Sequence, residues 1–301
     1  MALSNNISRL FTFLLSENRK EQVERATLVV AIFSFLLHLF IIFLNTYGVL
    51  DINQKFFRNP IAAIYTPFSF ILIFEVFLLV YYLPKSITAY IGKQYEIIAL
   101  IVIRRIFKDL AYVDLTSNWF QNQDDLQFTL DVLTSLILFF LIYLFYRAVK
   151  KRNYSSIHDS NKRGRDIRRF VLLKRVLSIV LVPTLFIFAV YTFFNWGILT
   201  FQDYRNGILE FSNINSVFFD EFFTILIIVD VLLLLASFFY SDEFHKIIRN
   251  SGFVISTILL KISFLSTGIV SNLLVIGAVL FGYIMLRIHN LYEKQSLEIE
   301  E

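Results

Sequence analysis

The sequence predicts an all-α, polytopic integral membrane protein of about eight transmembrane helices, built as two four-helix parallel repeats. Three observations lead there. Of 301 residues, 57% are hydrophobic and 17% charged, against roughly 45–50% and about 25% in soluble domains. Apolar runs of about 20 residues, the length that crosses a hydrocarbon core, recur from Thr27 to Leu286. Lysine and arginine are also sorted to alternate connections, as expected when basic loops stay in the cytoplasm.

In chain order, residues 1–25 hold the amphipathic stretch SRLFTFLLSENRKEQVER, read as a cytoplasmic helix lying at the interface. Eight spans follow at 27–47, 62–83, 95–115, 127–147, 175–196, 219–240, 251–267 and 269–288. The first four fall in a repeat over 26–149 and the last four in a repeat over 171–290. A basic cytoplasmic linker, 150–170, joins the repeats, and 291–301 form a cytoplasmic tail. Lys85, Lys93, the run from Arg147 to Arg175, Lys246 and Arg287 then lie inside, with Asp114, Asp124, Asp203 and Glu210 outside. Trp119 and Trp196 mark the outer interface, where aromatic belts form. This places the chain in the plasma (inner) membrane with both termini cytoplasmic.

An even number of spans per half orients both halves alike, hence a parallel repeat. Asn45-Thr46-Tyr47-Gly48 echoes Asn195-Trp196-Gly197, and Tyr143 and Arg147 close the fourth span as Tyr283 and Arg287 close the eighth. Each half also carries a charged hairpin. In the first, Glu75 faces Arg104 and Arg105; in the second, Asp230 faces Lys261. Counted from a polar connector spanning Pro84 to Tyr95, acid and base lie level, about 14 Å deep at about 1.5 Å per residue. Ionisable groups at that depth are costly and mark functional sites by default.

The second hairpin balances one acid with one base, and a register-fixing ion pair explains it as well as a site does. The first has surplus cations, because Lys108 shares a face with Arg105 while Arg104 points elsewhere. Asp131 is the remaining internal acid. The expected pathway is therefore a polar seam of Glu75, Arg104, Arg105, Lys108 and Asp131, with Asp230 and Lys261 as the second-repeat pair. His38, apolar on every side, reads either as a proton relay or as a neutral histidine bonded to a neighbouring helix.

Several classes are disfavoured. With no cysteine, disulfides, thiolate metal sites and a cysteine nucleophile are excluded. No HExxH motif or carboxylate–histidine cluster appears, so no catalytic residue, metal or cofactor is expected. The net charge of +4 belongs to the loops and points to no nucleic acid. Lys150–Arg169 fits anionic lipid or an acidic partner, and homo-oligomerisation stays open. Scarce Gly and Pro (9 and 4), with only Pro183 well inside a span, argue for continuous helices rather than broken ones. The leading expectation is movement of an ion or small charged solute. The alternatives are a non-conducting sensor or assembly protein and a lipid-modifying enzyme.

Overall fold

The computed structural model describes residues 2–49, 60–110, 123–155, 164–205, 214–240 and 244–300. Every element among them is helical: α1 (Ala2–Leu15), α2 (Glu17–Thr46), a 3₁₀ turn (Pro60–Ile64), α3 (Tyr65–Tyr82), α4 (Ile87–Leu110), α5 (Gln123–Ser155), α6 (Gly164–Arg205), α7 (Ile214–Tyr240), α8 (Phe244–Leu265) and α9 (Gly268–Glu300). Among the described residues, six stretches are long and apolar enough to cross a membrane: Arg9–Thr46, Asp125–Lys150, Arg169–Phe188, Phe222–Phe239, Phe244–Leu265 and Gly268–Gln295. The apolar part of α3, Thr66–Tyr82, is shorter. α4 carries Lys93, Glu96, Arg104, Arg105, Lys108 and Asp109, too many charges to read as a span by composition.

Local chemistry sets the helix ends. Ser16 separates α1 from α2 by accepting the Arg19 N–H at its side-chain oxygen, 3.4 Å, an N-cap that satisfies an orphan donor. Gly268, at φ 63°, allows the reversal from α8 to α9, since that backbone region is costly for other residues. Pro183 lies within α6 without ending it. The neighbouring Thr184 hydroxyl donates back to the Val180 carbonyl, 2.8 Å.

Each helix packs on its chain neighbour within α2–α5 and within α6–α9. The two sets join where α5 runs along α9, where α3 meets α6 and where α4 meets α8, while α1 lies on α6. The core sits at that junction, with Tyr90, Tyr95, Ile97 and Ile98 of α4 fully buried beside Phe145 of α5, Phe253 of α8 and Val279 of α9. α2 forms the rim and exposes Phe33, Phe40 and Phe43, a surface suited to lipid.

Two expected spans shift. The third was placed at 95–115, but α4 begins eight residues earlier, at Ile87. Its polar residues Lys93, Gln94 and Glu96 resemble a connector yet are bonded sideways to other groups. The short seventh span becomes the full-length α8 for the same reason, starting at Phe244. Of the basic linker, 156–163 lies outside the described residues, as do the outer connections containing Asp114 and Trp119.

Candidate functional site

The early start of α4 breaks the expected level pairing. Glu75 stands about 10 Å from the Tyr82 end of α3, whereas Arg104 stands about 25 Å from Ile87, at about 1.5 Å per residue. The arginines are therefore near the far end of the hairpin, and Glu75 is not their partner. In the second hairpin, Asp230 lies about 15 Å from Tyr240 and Lys261 about 25 Å from Phe244 by the same rise. Lys261 accordingly donates to Thr224, which is level with it on α7. The structure brings together neither Glu75 with Arg104 or Arg105, nor Asp230 with Lys261.

It does unite Arg105 with Asp131. The guanidinium reaches both carboxylate oxygens, through Nε to Oδ2 and through a terminal nitrogen to Oδ1 at 2.9 Å. Asp131 is 0% exposed, and its Oδ1 also accepts from Gln127 and from Asn272, each at 2.7 Å. Arg105 completes the cluster by donating to the Ser271 hydroxyl, 3.2 Å, and to Asn272 Oδ1. This bidentate pair is charge-assisted and well satisfied. It ties α4 and α5 to the start of α9. Arg104 is buried on α4, and the Lys108 side chain lies outside the described residues.

Asp230 has different surroundings. It is 4% exposed, roughly 15 Å from the helix end by helical rise, near the middle of a bilayer core about 30 Å thick. Gln94 Nε2 donates to its Oδ2 at 3.0 Å, and Thr257 Oγ1 donates to Gln94 Oε1 at 2.8 Å. The Phe253 carbonyl is a second acceptor for the Thr257 hydroxyl, 3.1 Å away. Gln94 bonds the carboxylate directly and Thr257 bonds it through Gln94, and Asp230 makes no ion pair among the described residues. Asp230, Tyr90 and Asn250 are the polar members of one small, otherwise apolar cavity of about 20 Å³, lined also by Ile87, Ile91, Leu233 and Phe253. About 10–15 Å³ suffices for one water. The buried Tyr90 hydroxyl beside it makes no hydrogen bond among the described residues.

Glu75 is the second internal acid without a cation bonded to it. Its Oε2 is buried and makes no hydrogen bond among the described residues. Toward the Tyr82 end, Lys93 pairs with Glu96, which also accepts the Tyr146 hydroxyl of α5. His38 is buried and bonded through Nδ1 to Thr66 Oγ1 at 2.6 Å, tying α2 to α3. Among the described residues no three histidines, aspartates or glutamates gather as metal ligands.

Gln94, Thr257 and Tyr90 were missed in the sequence because Gln94 and Tyr90 were assigned to a connector. One available signal was that α4, begun at Ile87, places Tyr90, Gln94, Ile97 and Ile101 at helical spacing on one face. The fold is all-helical among the described residues, with six helices long and apolar enough to cross a membrane and buried polar groups between them, which suggests a membrane protein. Comparison with family models, curated proteins and solved structures finds no match for the chain.

Proposed function

We propose that this protein moves an ion or small charged solute across the membrane, with Asp230 and Glu75 as the carboxylates that exchange with it. The observation that carries the reading is Asp230: a buried carboxylate at mid-helix depth, hydrogen-bonded to a neutral amide, beside a small cavity. Holding an acid there without a cationic partner is costly, and such groups mark ion pathways. Glu75, about 10 Å from the Tyr82 end of α3 by helical rise, supplies a second station. In this reading α2–α9 are eight spans with both termini cytoplasmic in the plasma (inner) membrane. The meeting of α5 with α9, the last helix of each half, supports a parallel repeat. Arg105 and Asp131 are then a lock between the halves rather than part of the path. No catalytic step is assigned.

Reconstitution into liposomes tests the proposal. Asp230→Asn is expected to lower flux at least tenfold, the equivalent of about 1.4 kcal/mol on the barrier. Glu75→Gln is expected to slow flux as well. Wild-type flux in both variants overturns the assignment. The satisfied Arg105–Asp131 network supports a second reading, an assembly protein whose buried charges fix packing. Absence of flux under any gradient favours that reading.

A further inference from the structure

Asp230, Gln94 and Thr257 form a chain of hydrogen bonds that can be satisfied in two ways. In the arrangement seen, the Thr257 hydroxyl donates to Gln94 Oε1, and Gln94 Nε2 donates to Asp230 Oδ2. Every donor points toward the carboxylate, which suits its anionic form, an acceptor only. The Gln94 amide is nearly isosteric under a half-turn that exchanges its oxygen and nitrogen. After that turn the oxygen faces Asp230 and the nitrogen faces Thr257. A protonated Asp230 then donates to Gln94 Oε1, Gln94 Nε2 donates to Thr257 Oγ1, and the Thr257 hydroxyl turns to the Phe253 carbonyl.

That last acceptor already lies 3.1 Å from Thr257 Oγ1. It gives the Thr257 hydroxyl an acceptor in the turned state, so that this buried donor is not orphaned, an omission that costs about 1–3 kcal/mol. We infer that Asp230, Gln94 and Thr257 are a proton-exchange site and that the ion handled there is a proton. This inference rests on the transport reading for its role in flux but not for its chemistry. The proton enters by water in the cavity lined by Tyr90 and Asp230. As the O–H bond to Asp230 forms, the bond to the donor water breaks, and the excess charge of a hydronium is neutralised on the carboxylate.

The neighbouring groups favour a proton over a metal cation. From α4 the facing polar groups are Tyr90, Gln94 and Tyr95, the last engaged with Ser256 of α8 at 2.8 Å. From α8 they are Asn250 and Thr257, and Arg249 is turned to Asn250 Oδ1 and His289 Nε2, each 2.9 Å away. The adjoining cavity between α3, α6 and α7 is lined by Leu79, Leu181, Leu185 and Phe222 beside Tyr90. Asp230 and one amide oxygen are far short of the roughly six oxygens that hard cations gather.

The test uses the full chain in liposomes, with an imposed pH difference, a potassium diffusion potential and a trapped pH-sensitive dye. Wild type is expected to pass protons, and Asp230→Asn to fall to the rate of empty liposomes. Thr257→Val, which cannot complete either chain, is expected to slow proton flux about tenfold, and Thr257→Ser to restore it. Infrared difference spectra on the same samples should show a buried carboxyl carbonyl band that changes with pH and is absent in Asp230→Asn. Sodium or potassium flux that requires Asp230 but ignores the pH difference overturns the proton assignment and leaves transport standing. No flux of any ion, with the infrared band present, overturns transport and leaves the proton site. An infrared spectrum unchanged by Asp230→Asn overturns the site itself.

Discussion

At the scale of single residues, two buried aspartates have opposite surroundings, and each environment dictates a role. Asp131 is held by a bidentate arginine, a glutamine and an asparagine, so removing its charge strands Arg105 in a partly buried position. Breaking one partner of a buried pair costs about 3–5 kcal/mol. Asp131→Asn is therefore expected to lower the unfolding midpoint of the purified protein substantially. Arg105→Lys should also destabilise it, because an ammonium keeps the charge but loses the planar fork. Chemical denaturation in detergent measures both. Asp230 is bonded to the neutral Gln94 amide and makes no ion pair among the described residues. Asp230→Asn preserves shape and a hydrogen-bonding amide, and the same measurement is expected to move little, by less than about 1 kcal/mol.

At the scale of elements, α4 is the helix on which the sequence and the structure most differ. A stretch reading KQYE looks like a connector when polarity alone is weighed. It is helical because its polar groups are satisfied laterally: Lys93 and Glu96 with each other, Glu96 also with Tyr146, Gln94 with Asp230 and Thr257. Periodicity reveals the helix; apart from the Lys93–Glu96 pair, the partners are fifty or more residues away and leave no local trace. The apolar spans, the N-terminal helix and the buried acids Glu75, Asp131 and Asp230 were legible, since each is a departure from composition. Register was not, because moving one helix start by eight residues changes which charges are level.

The close approach of the Tyr95 side chain of α4 to Gly282 of α9 gives a test of this packing. A Cβ on Gly282 of α9 would come within 1.7 Å of the Tyr95 hydroxyl. That hydroxyl also bonds Ser256, whose own hydroxyl donates to the Ala278 carbonyl at 2.7 Å. Gly282→Ala is expected to destabilise the protein by about 1–3 kcal/mol through overpacking. Tyr95→Phe, which removes the clashing oxygen, should recover part of the loss in the double variant. Additive losses in a double-mutant cycle contradict the contact.

At the scale of the whole molecule, two helical sets meet through α4, α5, α8 and α9, with a satisfied ionic lock toward one end and the acid site deeper in. The chain contains no cysteine, so single-cysteine labelling reads its orientation directly. Ser117→Cys is expected to react with an impermeant reagent added outside intact cells. Ser160→Cys should react only after permeabilisation, and the reverse pattern inverts the topology.

The division of labour between the two aspartates is tested most directly by measuring flux per folded protein for Asp131→Asn and Asp230→Asn side by side in liposomes. The account predicts that Asp131→Asn is less stable but, where folded, still conducts, while Asp230→Asn is stable and does not. A stable Asp230→Asn that conducts like wild type would contradict it.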